Sequence, residues 1–158
     1  MIRPQGAMDE GQFAGICVRC GNCVRACPEK IIHPDFGGSG VAGFLAPIIR
    51  FDERYCMEDC TRCTEVCPTG ALVPLDVDAK WETQIGIAKV DMSVCLLSEE
   101  RECSFCRSAC PYAAIDILFD NETYTSTVQV HPRKCTGCGA CEVACPTTPR
   151  AIVVVPLG

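Results

Sequence analysis

The stretch CVRCGNCVRACP at residues 17–28 sets the architecture of this chain, because it places four cysteines at fixed spacing directly before a proline. The same spacing occurs in CTGCGACEVACP at 135–146. Two further groups end in the same Cys-x2-Cys-x3-Cys-Pro but begin with a longer loop: CMEDCTRCTEVCP at 56–68 and CLLSEERECSFCRSACP at 95–111. All 16 cysteines belong to these four groups, so the chain is built on a repeated unit.

The rest of the composition leaves little material for an ordinary hydrophobic core. Only 6% of the 158 residues are aromatic, and 13 are glycine and 11 proline, so the cysteine groups and what they bind must fill much of the interior. A net charge of −6 argues against nucleic acid as a partner, since binding to the phosphate backbone needs clustered Lys and Arg. No apolar stretch approaches the roughly 20 residues of a membrane-spanning helix, so we expect no membrane span of the chain's own.

Three kinds of chemistry compete for the cysteines: disulfides, zinc and iron–sulfur clusters. Disulfide frameworks are typical of short secreted chains and do not explain the regular spacing. Zinc sites combine two separated Cys-x2-Cys pairs, whereas each group here already holds four cysteines. The spacing Cys-x2-Cys-x2-Cys-x3-Cys-Pro is that of bacterial ferredoxins, in which three thiolates bind one cubane and the fourth reaches the cluster of a partner group.

The spacing therefore predicts four 4Fe-4S clusters with every cysteine as a ligand. The predicted ligands are Cys17, Cys20, Cys23, Cys27, Cys56, Cys60, Cys63, Cys67, Cys95, Cys103, Cys106, Cys110, Cys135, Cys138, Cys141 and Cys145. The first ligand of the second and third groups arrives by a longer loop, and in the third group that loop is either a partner-facing insertion or a solvated excursion.

Which groups exchange their fourth cysteine stays open at the level of sequence. A sequential scheme pairs group one with two and group three with four. We favour a nested scheme, because strand-like segments flank groups two and three on both sides, whereas group one has no leading strand. The nested sets are Cys17, Cys20, Cys23 and Cys145; Cys56, Cys60, Cys63 and Cys110; Cys95, Cys103, Cys106 and Cys67; and Cys135, Cys138, Cys141 and Cys27.

The expected fold class is α+β, a duplicated bacterial-type two-cluster ferredoxin fold. Alternating and β-branched residues predict strands at 47–51, 71–75, 86–90, 114–118, 127–130 and 151–155, and the segment 8–17 reads as a helix. The nested scheme makes residues 1–158 one compact polyferredoxin of two interlocked modules. The inner module covers 46–119, and the outer module joins 1–45 to 120–158.

The sequence supports no catalysis on an organic substrate, since it contains neither a Ser-His-Asp set nor a helical His-Glu-x-x-His. We therefore expect an electron carrier or an electron-transfer subunit of an oxidoreductase. Two alternatives stay open: a zinc-binding structural or interaction protein, and an iron–sulfur subunit with a catalytic cluster, for which the group containing Cys95 would be the place.

Several motifs resemble the ferredoxin-type proteins of the NapG and MauM kind, which occur with periplasmic nitrate reductase and methylamine dehydrogenase systems. They are Arg3–Ala7 ahead of Phe13, Cys17–Cys23 with Cys27–Pro28, and Cys67–Leu72. The family usually has a second proline where this chain has Gln5, and its members usually begin with an export signal.

The resemblance implies four 4Fe-4S clusters that relay electrons between a membrane quinol-oxidising protein and a soluble oxidoreductase. Resemblance to four-cluster ferredoxin subunits also implies the nested exchange. The opening MIRPQGAMDE contains no signal-like apolar region, from which we expect a cytoplasmic location. The alternative is a periplasmic, membrane-associated protein if the sequence is a mature form.

Overall fold

The computed structural model describes residues 1–38, 40–99 and 101–157, and its elements are short. The helices are α1 Glu10–Ile16, α2 Asn22–Ala26, α3 Gly40–Gly43, α4 Arg62–Glu65, α5 Val77–Lys80, α6 Phe105–Ala109 and α7 Ala140–Ala144, with 3-10 turns at Met92–Val94 and Leu96–Glu99. The strands are β1 Ile32–Pro34, β2 Pro47–Ile49, β3 Ile87–Val90, β4 Ile115–Asp120, β5 Thr125–Val130 and β6 Ile152–Val155. Helices α2, α4, α6 and α7 each carry the third cysteine of one group.

The first half of the chain, residues 1–75, closes on itself around groups one and two. Strands β1 and β2 form an antiparallel hairpin between the two groups, with Ile32 opposite Ile49. The segment before group one meets the segment after group two through a bridge between Ala7 and Leu72. Helix α2 packs against α4, so the cysteines of the two groups face each other.

The second half, residues 85–157, repeats this order around groups three and four. Strands β4 and β5 form the hairpin between the groups. Strand β3 before group three pairs with β6 after group four, with Ile87 opposite Val155. Helix α6 packs against α7.

The strand pairs lie within each half, and the division into interlocked modules 46–119 and 1–45 with 120–158 stays a prediction. Strand β2 pairs with β1, and strands β3 and β4 pair with β6 and β5, so no ladder joins the strands on either side of groups two and three to each other. The β4–β5 hairpin closes a short loop and so costs little conformational entropy, whereas β3 and β6 pair although they lie far apart in the chain.

Most of the predicted elements are confirmed. The helix expected at 8–17 is α1, and the strands expected at 47–51, 86–90, 114–118, 127–130 and 151–155 are β2, β3, β4, β5 and β6. The strand at 71–75 is wrong, since only Leu72 forms a bridge there and Pro74 offers no N–H to a ladder. Strand β1 was not predicted, because three residues that end in proline give too weak a pattern.

The core confirms that large apolar side chains are few. Phe13, Leu72, Ile115 and Ile152 are buried, and seven cysteines of the four groups are buried among them. In the longer loop of the third group, Leu97 is buried beside Cys95, so the start of that loop packs inward. Glu100 of the same loop lies outside the described residues.

The two halves meet closely at one junction. The amide of Cys56 donates to the carbonyl oxygen of Cys138 at 2.8 Å. The Phe51 ring lies against Gly139, and the Arg150 guanidinium donates to the Phe51 carbonyl. In the parts of the chain that the structure describes, no helix has the length and apolar character needed to cross a membrane.

Candidate metal centres

The first set of cysteines is formed by Cys17, Cys20 and Cys23 of group one together with Cys67 of group two. These four side chains line one cavity, with Phe13 and Leu72 among its apolar walls. Gly21 directly precedes α2 and has a φ of 72°, a left-handed conformation that favours glycine, and so it turns the ligand loop into the helix. The first three cysteines of group one therefore face the last cysteine of group two.

The second set reverses this exchange. Cys56, Cys60 and Cys63 of group two lie near one another, and Cys27 of group one lies near Cys56. The last cysteine of each group thus reaches the loop of the other, as expected for two helices, α2 and α4, packed side by side.

The second half contains the same reciprocal arrangement. Cys95, Cys103 and Cys106 of group three share an apolar cavity with Cys145 of group four. Cys110 of group three acts electrostatically on both Cys138 and Cys141 of group four, which lie beside Cys135.

In the structure the cysteines come together in sequential sets and not in the nested ones, and which cysteines bind each cluster stays a prediction. Cys145 does not join group one, and Cys27 does not join group four. The reason is that a fourth cysteine at the end of a short helix reaches only the loop of the helix packed against its own. The four sets are Cys17, Cys20, Cys23 and Cys67; Cys56, Cys60, Cys63 and Cys27; Cys95, Cys103, Cys106 and Cys145; and Cys135, Cys138, Cys141 and Cys110.

The donor sets fit a cubane better than a single ion. All the cysteines are free thiols. Within 1–38, 40–99 and 101–157, no three His, Cys, Asp or Glu side chains converge closely enough to hold one metal ion. A zinc site needs its sulfurs about 2.3 Å from one ion, whereas the ligands of a four-iron cluster bind separate irons and lie farther apart.

Burial controls the protonation of the thiols at the third position of each group. Burial raises the pKa of Cys23 and of Cys106 to about 11, and that of Cys63 to about 12. It also raises the pKa of Cys141. Without metal these groups are neutral thiols at pH 7, and because ligands must be thiolates, metal binding has to release their protons.

Hydrogen bonds to sulfur act in the opposite direction at two fourth-position cysteines. Burial raises the pKa of Cys67, but hydrogen bonds from the Leu72 amide and from Thr69 outweigh it, so the pKa lies below its usual value. At Cys145, burial again opposes the change, and hydrogen bonds from Thr147 bring the pKa down. Further amides reach sulfur at Cys110, from Ala114 at 3.4 Å, and at Cys135, from Ala88 at 3.5 Å.

One residue near the sulfurs was not predicted from the sequence. Lys80 at the end of α5 lies with its Nζ 3.3 Å from Cys56 Sγ. It stands well beyond the last cysteine of its group in the polar segment DVDAKWE, and no motif marks it. Its position could be found only once the fold had brought α5 back onto group two.

Comparison with known proteins finds a matching domain family and similar proteins. Residues 16–71 and 101–148 match the 4Fe-4S dicluster domain; the first match spans groups one and two, and the second spans group four and all of group three except Cys95. The ferredoxin-type protein NapG of Escherichia coli K12 is 35% identical over 164 residues, which span 99% of this chain and 71% of that protein. The chain belongs to the family of NapG and MauM ferredoxin-type proteins.

MauM relatives support the same membership. The methylamine utilization ferredoxin-type protein MauM of Methylophilus methylotrophus is 37% identical over 166 residues, covering 99% of this chain and 71% of that protein. MauM of Methylorubrum extorquens is 36% identical, with 98% and 72% covered. The resemblance seen in the motifs is thus confirmed, and with it the character of a ferredoxin-type, 4Fe-4S electron-transfer protein; the number of clusters stays a prediction.

Proposed function

We propose that this NapG/MauM-type chain is an electron carrier that holds four 4Fe-4S clusters in two consecutive two-cluster ferredoxin modules. Each cluster, when bound, accepts and releases a single electron without bond chemistry. The chain supplies the four sets of thiolates, the amides that donate to sulfur and the apolar walls that exclude water. The two halves share one plan, each with an inner hairpin and an outer strand contact, and this supports two modules.

The junction between the halves is the single observation that makes a continuous relay reasonable. Cys56 of the second set and Cys138 of the fourth set are joined by a 2.8 Å backbone hydrogen bond. The reciprocal exchange within each half links the first set to the second and the third set to the fourth. The four clusters therefore follow the spatial order first, second, fourth, third, with the first and third at the two ends.

We propose that redox partners dock at these ends, a membrane quinol-oxidising protein and a soluble oxidoreductase. The first set lies beside exposed Val18 and the third beside exposed Phe105, so both terminal sets are near surface that a partner protein can cover. The names of the MauM relatives connect them to methylamine utilization, which favours an oxidoreductase system over an isolated carrier.

Iron analysis of paired serine variants tests both the cofactor and the exchange. The anaerobically prepared protein should contain about 16 irons and about 16 sulfides. In Cys17→Ser/Cys67→Ser the two replaced ligands belong to the same set, so about 12 irons should remain. The matched control, Cys17→Ser/Cys145→Ser, removes ligands from two sets and should retain about 8 irons.

The opposite ranking of the two variants would restore the nested exchange. About four zinc ions without sulfide in the unaltered protein would refute the electron-carrier proposal altogether.

A further inference from the structure

Lys80 is a cation enclosed by the second cysteine set. Its side chain is fully buried, at 0% exposure. Nζ donates to Cys56 Sγ at 3.3 Å, to the Cys60 carbonyl oxygen at 2.6 Å and to the Met57 carbonyl oxygen. All three acceptors belong to the ligand loop of group two.

Three acceptors around one nitrogen define its charge state. Only the ammonium form of lysine has three N–H donors, so this geometry is that of a positive charge. Burial of an ammonium is expensive unless a negative charge compensates it. None of the ion pairs formed by the described residues includes Lys80, and the nearest group that can become negative is the Cys56 thiolate.

Among residues 1–38, 40–99 and 101–157, no lysine or arginine side chain donates to a cysteine sulfur of the other three sets. Their cysteine sulfurs accept from backbone amides, of Leu72, Ala114 and Ala88, and from threonine hydroxyls. Among the described residues, Lys80 is thus the charged side chain that donates to a cysteine sulfur.

We propose that the Lys80 ammonium makes the cluster of Cys27, Cys56, Cys60 and Cys63 the most easily reduced of the four. This inference rests on the proposed function. Reduction adds a negative charge to a cluster, and a fixed positive charge at a ligand sulfur stabilises the reduced form more than the oxidised form. Because Cys56 also contacts Cys138 of the second half, the first electron to enter rests at the junction, between the two ends.

A potentiometric titration of the loaded protein, followed by electron paramagnetic resonance, tests the role of Lys80. In Lys80→Met the step that occurs at the highest potential in the unaltered protein should move down. We expect at least a tenfold fall in the equilibrium constant for reduction, about 59 mV for one electron. The other three steps should stay in place, and Lys80→Arg, which keeps the charge, should recover most of the shift.

Lys89→Met is the matched control, because it removes the same charge from an exposed position on β3 and should leave every step unmoved. Lys80→Gln retains a hydrogen-bond donor without the charge. It provides the same measurement if Lys80→Met loses a cluster. Full iron content with an unmoved highest-potential step in either Lys80→Met or Lys80→Gln overturns the role of Lys80. An unaltered protein without reducible clusters instead refutes the proposed function.

Discussion

Replacement of Gly139 by alanine should weaken the junction between the two halves. Gly139 precedes α7 and has a φ of 88°, in the left-handed region. A Cβ added there would lie 2.5 Å from Cγ and Cε1 of the Phe51 ring, far inside ordinary contact. Phe51 is only 5% exposed, so its ring cannot swing into solvent.

Two separable costs give the expected loss of stability in Gly139→Ala. A non-glycine residue in the left-handed conformation costs about 1–2 kcal/mol, and overpacking of a filled site costs about 1–3 kcal/mol. Gly70 is a matched control, because it has a φ of 72° but open space around the Cβ position. Gly70→Ala therefore incurs only the backbone cost, and Gly139→Ala should be less stable by about 1–3 kcal/mol.

Thermal unfolding of the loaded protein under anaerobic conditions measures this difference. For a chain of this size, it should appear as a melting temperature about 2–12 °C lower for Gly139→Ala than for Gly70→Ala. The penalty of Gly139→Ala should shrink in a Phe51→Ala background, since the two residues are in contact and their effects should not add. Equal melting temperatures for the two glycine variants, or a penalty that Phe51→Ala leaves unchanged, would refute the reasoning.

Two further predictions concern the cofactor and the pH dependence of stability. Removal of iron by a chelator should abolish most of the native far-ultraviolet circular dichroism, because the cysteine groups form much of the interior; a native spectrum after removal contradicts this. A hydrogen bond from Arg3 holds the pKa of Glu10 below its usual value. Ionised Glu10 therefore stabilises the folded protein above about pH 4.3, the pKa of a glutamate in the unfolded chain. This stabilisation is lost as the pH falls through the lower pKa that Glu10 has in the folded protein. The free energy of unfolding, measured between about pH 3 and 6, should fall less on acidification in Glu10→Gln than in the unaltered protein. An equal fall in both proteins would exclude a stabilising role of ionised Glu10.

Local elements were predictable because their signals lie within a few residues of each other. Helix α1 follows from Asp9, whose side chain accepts from the Gln12 amide, and from the apolar Phe13. Strands β3, β4, β5 and β6 follow from runs of β-branched residues. Residues 71–75 contain one β-branched residue and a proline, and they form only the Leu72 bridge.

The sequence by itself determined the chemistry of the sites. The spacing of cysteines such as Cys17, Cys20 and Cys23 is a local property, since a loop of that length brings three sulfurs together whatever surrounds it. The tertiary structure alone decided that Cys67 joins them, and that Lys80 reaches Cys56. Both depend on which helices pack together, α2 with α4 and α5 with the group-two loop, and that choice is made by contacts between segments far apart in the chain.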